Sequence, residues 1–517
     1  MTSMQHRLIP LAAATALFMA PVAHAASPAV APLLAQEAKD GPRALLDGLE
    51  RLLAQDPGLA ATPQTATALA RAAAAPVPDF VGANLPVYRE IVEKITAAAP
   101  PDQRAAVRRA VSLEIAGYIA TDIRIMPPPM PLTQGNIPAQ APGAGGPGFT
   151  LGSFTITPSL QGGMFYDDNI YATRSGKVSD GVGTLSPRVT LRSNWTHNAL
   201  YAEAGADLTG YLHHGNENTN DWHTLAEGRI DVNDRTRIVL GGLALMEHED
   251  RSSPDAVEGF VPTRYWETDG YVGILHRIGN FNIRAGGAVE RLTFANVQSQ
   301  NGEINNHDRN RNRYTFGIRV RDDAKTDLRP FIEGLGDLRR YDHTPDDFGY
   351  QRNSDGYRAS FGALFRIQPN LSGEASIGIM ARYYADPRFK NVITPAASAN
   401  LRWQAGDNTA MLAFFDRSIE ETTLAGSPAY VYSVIGGRIE QTLLPDLTGF
   451  LRLAFAHSNF WQSSRWDNEA DMSVGVRYYL TDTYYIGADY RYTQRVSGDS
   501  AVNFTRNEAF LSFGSAF

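Results

Sequence analysis

Two hydrophobic periods divide the chain. From Phe154 onward, apolar and polar residues alternate one for one. Phe281, Ile283, Ala285, Gly287 and Val289 alternate with Asn282, Arg284, Gly286, Ala288 and Glu290. Tyr314, Phe316, Ile318 and Val320 alternate with Arg313, Thr315, Gly317, Arg319 and Arg321. The same rhythm runs through Tyr357 to Arg366, Met472 to Leu480 and Tyr484 to Tyr492. Strand side chains point alternately to opposite faces, so each segment predicts a strand with one apolar and one polar face.

Upstream the period is helical. After Asp40-Gly41-Pro42, residues Leu45, Leu46, Leu49, Leu52 and Leu53 share one stripe. Further helices are predicted over Thr65 to Ala74, over Val87 to Ala98 (Tyr88, Ile91, Val92 and Ile95 on one face), and over Gln103 to about Asp122 (Val107, Val111, Ile115, Tyr118 and Ile119). The run Met126 to Pro147, MPPPMPLTQGNIPAQAPGAGGP, keeps no apolar period and reads as a linker. The first residues carry Arg7, an apolar stretch Leu8 to Val22 and the small-x-small triplet Ala23-His24-Ala25, the pattern of a secretory leader. The expected division is therefore 1–25 signal peptide, 26–125 helical periplasmic region, 126–150 linker and 151–517 barrel.

A soluble sandwich would alternate in the same way, so strand length decides. The alternating runs extend to about nine residues or more, as a tilted membrane strand requires, whereas soluble strands average about five or six. Phe281, Tyr314, Tyr357, Trp403, Tyr478 and Tyr484 sit near the ends of apolar faces, the arrangement of an aromatic girdle. Breaks alternate in length. Short ones fall at Asn198-Ala199, Asn233-Asp234, Gly279-Asn280, Asp322 to Asp327, Pro369-Asn370, Gly406 to Asn408, Pro445-Asp446 and Thr481 to Thr483. Long ones run over Arg174 to Gly183, Gly215 to Asn220, His248 to Thr263, Asn301 to Asn312, Asp342 to Asn353 and Trp461 to Asp467. The expected fold is an all-β transmembrane antiparallel barrel of about eighteen strands, with sixteen the neighbouring possibility, and both ends periplasmic.

Composition sharpens this. A mean hydropathy of -0.26 argues against a helical membrane bundle but not against a barrel, whose inward residues can be polar. The net charge of -8 argues against a nucleic-acid partner, and the absence of cysteine removes disulfide and thiol chemistry. The chain ends NEAFLSFGSAF, with Leu511, Phe513 and Phe517 on one face. This resembles the C-terminal signal read by the barrel-assembly machinery.

The segments SFTITPSLQGGMFYDDNIYAT and LSPRVTLRSNWTHNALYAEAGADLTGYL carry Tyr166-Asp167-Asp168-Asn169-Ile170-Tyr171, Ser186-Pro187, a Trp195 to Leu200 hairpin and Ala204-Gly205-Ala206. In these features the chain resembles the outer-membrane β-barrel porin-2 type family. The resemblance implies an outer-membrane barrel, in some members associated with surface-polysaccharide export. It transfers no catalytic residue. Asp167, Asp168 and Asn169 read either as a polar break ending the first strand, the weightier reading, or as a cation or sugar site at the mouth.

Charged side chains on a lipid face cost about 2–4 kcal/mol for Arg at mid-bilayer, so they should face the lumen. The expected lumen set is Arg284, Glu290, Arg313, Arg319, Arg321, Arg329, Glu333, Asp337, Arg358, Arg366, Arg382, Arg452, Arg477, Asp489 and Arg491, with Glu203, Asp207, Glu374 and Arg402 beside them. Paired across strands they would make a salt-bridged wall; aligned as a track they would favour anions. No Gly-x-Ser-x-Gly elbow or helical zinc pair occurs, and His213-His214, His248 with Ser252-Ser253, and His343 form no recognisable catalytic set. No enzyme, cofactor or metal is expected. The expected partners are outer-membrane lipid, the assembly machinery, a periplasmic partner of the helical region, and a small solute or polysaccharide in transit. A non-conducting barrel for adhesion or scaffolding is the alternative.

Overall fold

The computed structural model describes residues 30–74, 84–101, 103–104, 107–108, 111 and 148–516, less 196–197, 326, 369, 407 and 482. The expected leader, the linker Met126 to Pro147, most of the fourth helix and Phe517 lie outside the described residues. The helical part comprises α1 (Val30–Glu37), α2 (Pro42–Gln55), α3 (Pro63–Ala74) and α4 (Asn84–Ala98). Pro42 opens α2 where its missing N–H costs nothing. The leucine stripe of α2 meets Leu34, Leu69, Ile91 and Ile95 in one core, which also buries Val107 and Val111. Helix α1 was not expected from the sequence, because its single turn-and-a-half of apolar residues is too short to show a period.

The remaining chain is a β-meander. In order, the wall strands are β1 (Phe154–Asp167), β2 (Asp180–Ser193), β3 (Ala199–Tyr211), β4 (Thr219–Asn233), β5 (Thr236–His248), β6 (Arg264–Ile278), β7 (Phe281–Phe294), β8 (Arg311–Asp322) and β9 (Leu328–Tyr341). They continue as β10 (Ser354–Gln368), β11 (Leu371–Tyr384), β12 (Val392–Gly406), β13 (Thr409–Glu420), β14 (Tyr430–Leu444), β15 (Leu447–Phe460), β16 (Trp466–Tyr479), β17 (Tyr484–Ser497) and β18 (Phe504–Ala516). Each pairs antiparallel with its sequence neighbours, and β18 returns to β1 from Ser159↔Ala516 to Asp167↔Glu508, so the sheet closes. One short strand, Phe149–Leu151, pairs with the start of β1 and makes the sheet nineteen-stranded, leaving eighteen in the wall. Closure removes the free edges that an open meander would present.

Alternation sorts the faces as expected. On β16, Asp467, Glu469, Asp471 and Arg477 are buried while Trp466, Met472, Val474, Val476 and Tyr478 are exposed. The expected girdle residues Phe281, Tyr314, Tyr357, Trp403, Tyr478 and Tyr484 are all exposed on the outer face. Pro187 sits inside β2, where the ladder to β3 passes from Leu185↔Leu208 to Arg188↔Gly205 and skips Ser186 and Pro187. A proline has no N–H to give that ladder. Gly378 marks a close approach on β11: a Cβ there would lie 2.0 Å from the Ala359 carbonyl oxygen. Gly378→Ala is therefore expected to lower the thermal unfolding temperature in detergent, at a cost of about 1–3 kcal/mol.

Short turns gather at one end and nine long loops at the other. The long loops are L1 (168–179), L2 (212–218), L3 (249–263), L4 (295–310), L5 (342–353), L6 (385–391), L7 (421–429), L8 (461–465) and L9 (498–503). L6, L7 and L9 were not among the expected long loops, although Asp386-Pro387, Gly426-Ser427-Pro428 and Gly498-Asp499-Ser500 are turn signals that could have marked them.

Candidate functional site

The site begins with the destination of L3. In a ring of eighteen strands, β5 and β6, which L3 joins, lie across from β14 and β15. L3 nevertheless bonds to the far side. The Arg465 guanidinium of L8 donates to Pro254 O at 3.2 Å. Asp255 Oδ1 accepts from Thr422 Oγ1 at 2.9 Å and from Thr423 N at 3.0 Å, both in L7. Arg495 of β17 donates to Ser252 O, and Arg506 of β18 stands 3.6 Å from Asp250. Near its roots, L3 is tied by Arg251 to Glu217 of L2 at 2.6 Å and by Arg309 of L4 to Glu249 at 2.9 Å. Contacts with L7 and L8 can be reached only over the lumen, so L3 crosses it and narrows the passage.

Two of its acids sit in opposite electrostatic states. Burial raises the Asp255 carboxyl above the ordinary aspartate range, outweighing the hydrogen bonds from Thr423 and Thr422. Burial also raises Asp250, but the charge of Arg506 and the hydrogen bonds from Ser252 prevail and hold it at about 2. Ionising Asp255 in its latched place therefore costs more than in a released loop. The L3–L7 contact strengthens as pH falls toward the ordinary aspartate range, where Asp250 is still ionised. Conductance is expected to be lower and quieter at about pH 5 than at about pH 7.5. Asp255→Asn should abolish the difference.

Below L3, the strand register aligns arginines. Arg366 pairs with Ser372, Ser372 with Arg402, Arg402 with Leu412, Leu412 with Arg438, and Arg438 with Arg452. The row continues through Ser473 to Arg491, Glu508 and Asp167. Arg366 lies near the short-turn end of β10, and Asp167 is the last residue of β1 at the long-loop end. With strands about 4.8 Å apart, the row is a ramp climbing the inner wall, with arginine positions one or two strands, roughly 5–10 Å, apart. Its upper part is neutralised: Arg491 meets Asp471 at 2.5 Å, and Glu508 lies 3.6 Å from Arg506, while beside the row Arg495 meets Glu469 at 2.8 Å.

The other expected lumen residues divide between pairs and row. Arg319 bridges Glu333 at 2.6 Å and Glu374 at 2.9 Å. Arg382 reaches Asp337 at 2.7 Å, and Arg313 stands 3.4 Å from Glu290 and 3.5 Å from Asp337. Arg321 is held by Asp323 at 2.5 Å, and Arg358 donates to Ser360 at 3.2 Å. Arg284 stands opposite Arg319. Arg329 and Arg477 are buried, and Asp489 packs against Gly475 on the same face. Across the lumen, β3 to β7 turn acids inward, including Glu203, Asp207, Glu227, Glu267, Asp269 and Glu290. Glu267, Asp269 and Glu290 bring their oxygens within 4.8 Å of one another. The wall of β3 to β7 is thus rich in acids, and the facing wall carries the arginine row together with Glu440, Glu469, Asp471, Asp489 and Glu508.

Asp167, Asp168 and Asn169 are brought together at the barrel seam. Asp168 accepts from Asn507 N and Nδ2, each at 2.7 Å. Buried Asn169 donates to Thr173 O at 2.8 Å and Thr505 O at 2.9 Å, and accepts from Thr173 N at 3.0 Å. The motif clips β1 to β18. Asn169→Ala orphans several buried groups and is expected to cost about 1–3 kcal/mol, read as a lower unfolding temperature in detergent. His248 and Ser252 do not form a pair: His248 Nδ1 bonds Asp221 at 2.6 Å, and Ser252 Oγ donates to Asp250 at 2.7 Å.

The sequence reading missed Arg438, Arg495, Arg506 and Glu508. Their alternation could have placed them inside, but nothing local shows that Arg438 falls in register with Arg402 and Arg452.

A family model described as "Putative beta-barrel porin 2" matches residues 141–515. The chain belongs to that family. It is an outer-membrane β-barrel porin. Solved structures of similar fold include the outer membrane protein opdK of Pseudomonas aeruginosa, 10% identical, covering 70% of this chain and 99% of that one, with a TM-score of 0.39. OccK9 (OpdG) of the same organism is 12% identical over 70% of this chain and 98% of its own, with a TM-score of 0.40. OccAB4 of Acinetobacter baumannii is 9% identical over 71% and 98%, with a TM-score of 0.39. No curated protein matches the sequence.

Proposed function

We propose that this porin is an anion-favouring diffusion channel for small solutes, with its short turns in the periplasm and its long loops outside. The arginine ramp is the observation that carries this reading. It supplies a series of guanidiniums, spaced by Ser372 and Leu412, from the short-turn mouth to the level beneath L3, and an anion moving along it exchanges one partner for the next. The acidic wall opposite repels the same anion toward the ramp. The helical region then hangs in the periplasm from the linker, which joins the wall through the short strand Phe149–Leu151 beside β1.

Passage of a surface polysaccharide would require L3 to leave its contacts with L2, L4, L7 and L8, so small solutes fit this constriction better. A non-conducting adhesion barrel would have no use for an aligned ramp. Single-channel reversal potentials in a salt gradient test the proposal. Anion preference is expected. Cation preference, or no current at all, would overturn it.

A further inference from the structure

Within the ramp, Arg438 and Arg452 stand directly opposite each other on β14 and β15. Like charges in that position destabilise a sheet unless something lies between them. Arg438 reaches Glu440 at 2.7 Å, yet its Nε is buried without a hydrogen-bond partner. Phe450 shares this face, two residues before Arg452 and opposite Gly475. A Cβ on Gly475 would come within 2.8 Å of the Phe450 ring, so the glycine lets that ring lie flat against the wall. The Arg438 guanidinium is 4.7 Å from the ring centroid and that of Arg477 is 5.8 Å. Leu412, between Arg402 and Arg438 in the row, is 48% exposed. A leucine turned into a charged lumen and left half bare offers apolar surface beside the guanidiniums.

Charge makes the subsite attractive to anions. Arg438, Arg452 and Arg477, with Arg402 on the other side of Leu412, outnumber the carboxylates Glu440 and Asp489 beside them. Geometry then selects among anions. Paired guanidiniums suit the flat, two-oxygen geometry of a carboxylate, and Leu412 with the rim of Phe450 suits a small apolar body attached to it.

We propose that Arg438, Arg452, Phe450 and Leu412 form a binding subsite for a monocarboxylate with a compact apolar body, of the benzoate class. The subsite rests on the anion-channel reading and deepens it. The bound carboxylate bridges Arg438 and Arg452, and the apolar body lies over Leu412.

The test uses the full-length porin in planar bilayers, with sodium benzoate added to a chloride background. Benzoate is expected to interrupt the chloride current at concentrations where sulfate, acetate and neutral benzamide do not. Arg452→Gln should raise the half-blocking concentration about tenfold, about 1.4 kcal/mol. Leu412→Asn, which leaves the charges in place, should bring benzoate down to the level of acetate. Equal block by sulfate and benzoate, or block unchanged in Arg452→Gln and Leu412→Asn, would overturn the subsite while leaving anion preference standing. Cation preference in the reversal potential would instead overturn the channel reading itself.

Discussion

Replacing Arg506 by alanine is expected to loosen L3 and open the passage. Arg506 is 4% exposed and lies between Asp250 and Glu508, 3.6 Å from each. Glu508 is 1% exposed and has only a distant second cation, Arg491 at 3.9 Å. Removing the guanidinium leaves buried carboxylates uncompensated, and breaking a buried pair from one side costs about 3–5 kcal/mol. The fold is closed by eighteen strands, so the strain is relieved most cheaply where chain can move, at Asp250. The root of L3 should swing away from β18. Single-channel conductance is expected to rise by about twofold or more, with added noise. Removing a charge together with its partners costs less than removing it alone, so Arg506→Met combined with Asp250→Asn and Glu508→Gln should return the current toward the wild-type level. Unchanged conductance in Arg506→Ala would mean that L3 is held by its other contacts, with L2, L4, L7, L8 and Arg495.

Neutralising the lower ramp should produce the second large change. Glutamine at Arg366, Arg402, Arg438 and Arg452 removes four charges aligned by register and leaves the acidic wall intact. Anion preference is expected to fall to about unity or to invert, because the remaining field of the lumen is set by acids. Arg321→Gln is the fitting control. Arg321 is occupied by Asp323 at 2.5 Å, outside the row, so its loss should move the reversal potential much less. If Arg321→Gln shifts it as far as glutamine at Arg402 alone, one charge against one charge, total charge rather than alignment governs selectivity.

The two predictions rest on different kinds of arginine, and the sequence could not distinguish them. Arg321 and Arg366 look alike by alternation, since both occupy the polar face of a long strand. One closes a local pair with a carboxylate two residues away. The other begins a ramp whose next guanidinium, Arg402, is two strands on. Asp167, Asp168 and Asn169 were legible as a polar break, but their bonds to Asn507 and Thr505 join residues more than three hundred positions apart. L3 was legible as a long loop and not as a constriction.

The amino-acid order alone determined the strands, their inner and outer faces and the girdle, and brought the count to about eighteen. Each of these follows from a two-residue period or a turn signal, and such signals are complete within a dozen residues. Only the tertiary structure decided which inward charges share a row, where the seam is clipped and where L3 comes to rest. Row membership depends on the stagger accumulated over every hairpin as the barrel closes. The path of L3 depends on partners such as Thr422, 167 positions from Asp255, which meet only once the cylinder exists.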